Sequence, residues 1–326
     1  KFEFATLLKG LPMTSIEGAP AAKGVRSPRP TGPDDNVRLG VFAALATYTI
    51  WGVLPLFFKL LEHVNPVGVV ANRILCSLFF VMAIRYLRHQ FGEVRVALKD
   101  RRTVLLMCVS AVLIAANWLI FVWAVGNNHV LEVSFGYFIN PLVSVAIGMV
   151  LLSEKLSRTQ ALAIAIAVVA IAIQAVGLGS VPWVSLALAL TFAFYGYVRK
   201  TVDVGSAAGL AIETLVLIPI SAAYILYLLT GPAPDFYADP TTTLFLVMTG
   251  PMTAVPLVMF AFAARQLRLS TIGMFQYIAP SLQFAVAVFV FGEDLSPARL
   301  ASFALIWVSL AVFSYGSWRG RGPKPA

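Results

Sequence analysis

The sequence predicts an all-α integral membrane protein of ten transmembrane helices, built as two five-helix repeats of inverted topology. Composition is the first reason: 59% of residues are hydrophobic, 12% are charged and the mean hydropathy is +0.85. A soluble domain carries about 25% charged residues. Spacing is the second, because ten predominantly apolar runs recur along residues 39–317, each long enough for a hydrocarbon core of roughly 30 Å. Such runs imply helices and not a barrel, whose strands would alternate apolar and polar positions. The third is an internal repeat: residues 132–157 align without a gap on 271–296, offset by 139. Ile139, Pro141, Ala146, Glu154, Leu156 and Ser157 match Ile278, Pro280, Ala285, Glu293, Leu295 and Ser296. Shared apolar character does not explain the matched Pro and Glu.

Taken in order, residues 1–38 hold Pro12, Pro20, Pro28, Pro30 and Pro33 with scattered charges and no helical period, and are expected to form a disordered cytoplasmic tail. Met13-Thr-Ser-Ile reads as a natural start, so the first dozen residues are expected to be an upstream extension. The spans are 39–61, 66–86, 103–125, 130–152 and 159–177 in the first repeat (39–178), then 181–198, 208–229, 242–264, 270–291 and 297–317 in the second (179–318), before a basic tail, 319–326. Trp51-Gly52 in span one is echoed by Tyr195-Gly196 in span six. With the N-terminus in the cytoplasm, 21 of the 24 Lys and Arg fall on that side, and the opposite connections 62–65, 126–129 and 230–241 carry none. The positive-inside rule is satisfied with both termini cytoplasmic. The net charge of +9 thus belongs to membrane flanks and not to a nucleic-acid surface. Five spans per repeat force the second copy to cross in the opposite sense, the construction of secondary carriers that bind solute between their halves.

A charge near mid-bilayer costs about 2.5–3.5 kcal/mol, which makes intramembrane ionisable residues functional candidates. Four stand out: Lys59, Arg73, Glu132 and Glu213. Arg73 and Glu213 are 140 residues apart, in equivalent spans with opposite charge; inversion places Arg73 in the outer half and Glu213 in the inner half. On one reading Arg73, with Lys59, anchors an anionic or zwitterionic group while Glu132 or Glu213 takes a cation or a proton. On the other these are structural ion pairs, such as Lys59 with Glu132.

Spans four and nine add polar stripes. Tyr137, Asn140 and Ser144 share a helical face, and Gln276 and Gln283 recur at aligned positions, as expected of a cavity lining or of hydrogen bonds between helices. Pro141 and Pro280 are expected to free backbone carbonyls one turn earlier. Asn117 and Trp118 in span three and Trp51 in span one offer hydrogen bonding and a flat apolar wall. Glu154 and Glu293 read as capping or loop residues, and His129 as a lone loop histidine. Cys76 and Cys108 have no metal or disulfide framework and are expected in the core. No nucleotide-binding loop, zinc-hydrolase motif or triad appears, so no cofactor, metal or enzymatic role is expected. Ser144 and Gly148 give one small-residue spacing, which leaves the oligomeric state open.

At this point the residues resemble the ten-span drug/metabolite transporters built from two EamA-type repeats, and within them the RarD branch, the chloramphenicol-sensitive proteins. The resemblance rests on Trp51-Gly52, Phe58-Lys59-Leu60, Asn72-Arg73, Asn117-Trp118, Leu131-Glu132 running into Gly136-Tyr-Phe-Ile-Asn-Pro141, Phe194-Tyr-Gly196, Ile212-Glu213-Thr214, Arg268-Leu-Ser-Thr-Ile-Gly273 and Gln276-Tyr277. It implies a multi-pass carrier of the bacterial inner membrane with a central cavity between the repeats, and leaves cargo, direction and coupling ion open.

Three function classes follow. The leading one is a secondary carrier of a small metabolite or drug by alternating access, proton-coupled or facilitative, with lipid and a small solute as its partners. A non-transporting sensor or scaffold has no need of a buried Arg73 and Glu213 or of repeated polar faces. A membrane enzyme would need titratable groups converging at one depth, and these are spread along the membrane normal.

Overall fold

The computed structural model describes residues 33–87, 92–152, 158–233, 236–267 and 275–319. One helix occupies each predicted span: α1 (Pro33–Lys59), α2 (Pro66–Leu87), α3 (Arg101–Gly126), α4 (Val130–Leu152), α5 (Arg158–Leu178), α6 (Trp183–Thr201), α7 (Ser206–Thr230), α8 (Pro240–Gln266), α9 (Ile278–Ala285) and α10 (Pro297–Arg319). A short helix, Gly92–Ala97, joins α2 to α3, and α9 runs on into one wider π-helical turn, Val286–Val290. Among the described residues seven helices are long and apolar enough to cross a membrane unaided, while α4, α6 and α9 supply shorter apolar pieces. Of those three, α4 packs on both α6 and α9.

Two expectations change. Residues 33–38, expected in the tail, already belong to α1; Pro33 in the first turn lacks only an N–H that no intrahelical carbonyl would receive. Residues 1–32 and 320–326 lie outside the described residues. Pro280 is the third residue of α9, so for the same reason it frees no carbonyl, whereas Pro141 sits inside α4. The Pro280 carbonyl accepts the Ser134 hydroxyl at 2.8 Å, tying α9 to α4.

The pairing of helices follows the duplication. α5 lies along α10, α2 against α7 and α4 against α9; the remaining principal pairs come in twos, α4 on α6 with α9 on α1, α3 on α6 with α8 on α1, and α3 on α7 with α8 on α2. Exchanging α1–α5 for α6–α10 maps this set onto itself. The seams therefore bring residues from both halves together at every level of the bundle.

Helix ends carry much of the specification, because the first N–H and last C=O groups have no intrahelical partner. Asp100 caps α3, accepting from the Thr103 N–H (3.0 Å) and hydroxyl (2.6 Å). Asp239 caps α8 through the Thr242 N–H (2.7 Å). Asp100 and Thr103 stand 139 residues before Asp239 and Thr242, the same offset that aligns α4 with α9. The start of α4 is capped from elsewhere: Glu293, in the α9–α10 connection, accepts the Val130 N–H at 2.6 Å and the Leu131 N–H at 2.9 Å. This carboxylate joins the second half to the first on the predicted outer side. Asn128 (φ 58°), Gly179 (φ 65°) and Gly292 (φ 66°) adopt the left-handed conformation after α3, α5 and the π-turn. The His129 N–H returns to the Ala124 carbonyl (2.8 Å) and the Ser180 N–H to that of Ala175 (3.1 Å), the bond pattern of a Schellman stop.

At Gly136 the backbone of α4 touches α6. A Cβ there would stand 2.7 Å from the Ser185 carbonyl oxygen, and the Ser185 hydroxyl donates to the Glu132 carbonyl at 2.8 Å. Gly196 faces open space. Gly136→Ala is therefore expected to lower stability by about 1–3 kcal/mol, the scale of overpacking, while Gly196→Ala is neutral or stabilising because it removes a helical glycine; thermal unfolding of the two variants in detergent checks this. The caps carry a pH signature. Hydrogen bonds from Thr103, its hydroxyl first, and equally from Thr242 hold the Asp100 and Asp239 carboxyls below their ordinary range. Since the folded-state value is depressed, the stabilisation is present above the ordinary carboxylate value of about 3.9 and is lost as pH falls through the folded one. Asp100→Ala and Asp239→Ala are expected to differ from the parent in melting temperature most at neutral pH, the gap closing as the medium is acidified below that range.

Candidate functional site

Arg73 stands at the centre of the candidate site. It is 5% exposed on α2, and its guanidinium carbon lies 4.3 Å from the Trp118 ring centroid on α3 and 5.3 Å from that of Phe58 on α1. The Nε donates to the Thr253 hydroxyl on α8 at 2.8 Å, and Nη1 is buried without a hydrogen-bond partner. No carboxylate pairs with it among the described residues. Neighbouring Asn72 fixes α2 on α8, donating to the Leu246 carbonyl (2.7 Å) and accepting from the Tyr237 hydroxyl (2.8 Å). Cation–π attraction offsets part of the burial cost, and the two rings restrict the guanidinium plane.

The polar stripe of α4 reaches the same region, while that of the second half meets α1 at Trp51. Tyr137 lies within electrostatic reach of Arg73 and donates a long hydrogen bond (3.4 Å) to Asn117. Asn117 in turn donates to Thr191 (2.9 Å) and the Leu188 carbonyl (3.1 Å) of α6. Asn140 is buried one turn further along α4, with its Oδ1 unpartnered. Gln283 on α9 is likewise buried: it donates to the Trp51 carbonyl of α1 at 3.1 Å and leaves Oε1 unpartnered. Ser144 is exposed and Gln276 half-buried in the turn before α9, so the stripe runs from the seam between the halves out to the surface. Trp51 sets a second aromatic group beside it, with Tyr48 and Phe260.

The other charged candidates are placed differently. The Lys59–Glu132 pair is not formed. Lys59 bonds Glu62 (2.6 Å) and Asn128 (2.7 Å), while Glu132 bonds His129 (2.9 Å), whose ring stacks on Trp123. His129 is therefore not a lone solvated side chain. The signals were present as Lys59-x-x-Glu62 and His129-x-x-Glu132, since residues three apart share a helix face. Both groups stand where α1, α3 and α4 reach the predicted outer surface, and Lys59 also lies over Phe291 of the second half (5.5 Å).

Glu213 lies at the opposite end, 1% exposed on α7. It accepts the Ser110 hydroxyl of α3 at 2.5 Å and pairs with Arg199 of α6 at 3.8 Å, while the Tyr195 side chain faces the same carboxylate. Arg199 also donates to the Val204 and Gly205 carbonyls at 3.1 Å each, so the pair clasps the α6–α7 turn. Arg199 had read only as a basic flank, because its sequence position gives no sign that it folds back on α7. Glu93 closes the same corner, accepting the Gly205 N–H at 2.6 Å with Arg85 3.8 Å away.

Comparison with known proteins bears on this arrangement. Residues 38–175 match the EamA-like transporter family. The chain is 44% identical over 295 residues to an uncharacterized transporter of Pseudomonas aeruginosa, covering 89% of this chain and 98% of that one. It is 43% identical over 279 residues to protein RarD of Salmonella typhimurium, covering 85% and 95%, and 31% identical over 284 to the chloramphenicol-sensitive protein RarD of Pseudomonas aeruginosa, covering 86% and 95%. A solved crystal structure, 18% identical, superposes with a TM-score of 0.57 over 84% of this chain and 96% of that one, a likeness of fold alone. A buried, polar-lined seam between paired halves and relatives matched over nearly their whole length agree: the chain belongs to the RarD branch of the EamA-like transporter family.

Proposed function

We propose that the protein is a secondary carrier of the bacterial inner membrane, with both termini cytoplasmic, that moves a small metabolite or drug by alternating access through a cavity between residues 39–178 and 179–318. The observation that carries this is the set of buried polar atoms with open bonding capacity on the seam: Arg73 Nη1, Asn140 Oδ1 and Gln283 Oε1. Buried polar groups are nearly always bonded, so unmet ones gathered from α2, α4 and α9 suit a solute that arrives and leaves. A sensor or scaffold would gain nothing from them.

The pairing of the halves supplies the motion. Two equivalent units can exchange conformations, which gives outward-open and inward-open forms of one sequence. On the outer side Glu293 and Lys59 bridge the halves, through the start of α4 and through Phe291; opening outward requires both contacts to part. Glu213 is the carboxylate assigned to proton coupling. Protonating it would release Arg199 and so loosen the α6–α7 turn, a local charge change acting on a hinge.

Flux into proteoliposomes under an imposed pH gradient tests the proposal, with labelled metabolites and chloramphenicol as probes. Saturable uptake that accumulates with the gradient is expected, and Glu213→Gln is expected to abolish accumulation while retaining exchange. Flux indifferent to the gradient would remove Glu213 from coupling and leave a facilitative carrier. Absence of saturable flux from folded protein across the panel would overturn the carrier reading in favour of a sensor or scaffold.

A further inference from the structure

Three cations at the ends of the bundle have carboxylate partners: Lys59 with Glu62, Arg85 with Glu93, and Arg199 with Glu213. Arg73, buried like Arg85 but further from the end of α2, has a hydroxyl and two aromatic rings instead. Guanidinium does not deprotonate in proteins, so the positive charge persists at the seam, and buried charges are normally paired. Trp118 and Phe58 attract the cation through their faces but supply no acceptor for Nη1. The planar fork is thus held in place with Nη1 unused, a donor that suits an oxyanion.

The candidate internal anions are already engaged. Glu132 is held by His129 near the outer surface and Glu213 by Ser110 and Arg199 toward the inner one. Resting on the reading of the seam as the solute path, we propose that the transported solute carries one carboxylate, which Arg73 binds while Trp118, Phe58 and Tyr137 border its apolar body. Charge balance favours a monoanion. A phosphate ester brings about −1.5 to −2 charges at neutral pH, and a single guanidinium would leave the excess charge unpaired in a buried setting.

Equilibrium binding, kept separate from flux, tests this on the full chain in lipid nanodiscs. Tryptophan fluorescence and thermal shift are titrated with matched sets: benzoate, benzamide and phenyl phosphate; cinnamate and cinnamamide; hexanoate and hexanamide. At least one acid is expected to bind saturably and about tenfold or more tighter than its amide, with phenyl phosphate weaker than benzoate, as a charge-assisted contact implies. Arg73→Gln is expected to erase the preference of acid over amide, and Arg73→Lys to keep it at lower affinity. Should Arg73→Gln fail to fold, Arg73→Lys serves as the second variant: its acid affinity is expected to fall because an ammonium lacks the planar fork, and an unchanged affinity there overturns the proposal. The proposal is overturned if no acid binds better than its amide, if phenyl phosphate binds as tightly as benzoate, or if the preference survives loss of the Arg73 charge. Acid-selective binding without saturable flux in liposomes would uphold the anion site and sink the carrier reading instead.

Discussion

A bilayer offers no water to satisfy a backbone N–H or C=O, and nearly every structural feature of this chain answers that constraint. Within the helices the ladder does it. At the ends it is done by side chains and left-handed turns, and here the chain uses different solutions at different depths. Asp100 and Asp239 cap α3 and α8 from their own sequence neighbours. The start of α4, wedged between α6 and α9, is capped by Glu293 from the other half of the protein. A cap borrowed across the seam couples local helix formation to the relation between halves.

Charge is managed by the same logic. Moving an ion out of water costs several kcal/mol unless it is paired and bonded, and Lys59, Arg85 and Arg199 are paired with Glu62, Glu93 and Glu213. These pairs also do mechanical work: Arg199 and Glu213 hold the α6–α7 turn, and Glu93 holds the start of α7. Arg73 departs from the pattern. Its surroundings of ring faces and a single hydroxyl accommodate the cation without neutralising it, which separates it from the structural pairs and is the ground for the binding role proposed for it.

Much of this was legible beforehand because hydrophobicity and duplication are properties of the sequence alone. The ten segments and the candidate status of Arg73, Asn117, Trp118, Tyr137, Asn140 and Gln283 all follow from run length, charge and the offset of 139. Partner choice did not follow. Lys59 and Glu132 were legible as charges, yet each is satisfied three residues away, by Glu62 and His129; short-range pairing cost less chain entropy than a link between helices. The paired caps Asp100-x-x-Thr103 and Asp239-x-x-Thr242 recur at the repeat offset but straddle the starts of the apolar runs, where hydrophobicity gives no signal. Long-range contacts such as Glu293 with Val130 had no local signal, since they depend on how α9, α10 and α4 pack.

The duplication gives the charged pair Arg73 and Glu213 its meaning. Their interfaces are equivalent, α2 on α8 and α7 on α3, and each engages a hydroxyl across it, Thr253 for Arg73 and Ser110 for Glu213. A repeat kept only for packing would retain the same apolar residue at both positions, because an apolar side chain stabilises either interface at no desolvation cost. Here the two copies carry ions of opposite sign. One is clasped by Arg199 at an inner turn, and the other is left without a carboxylate at the seam. On the proposed carrier reading, equivalent scaffolding with inequivalent charge would let two symmetric halves rock against each other while the site between them stays directional and chemically selective.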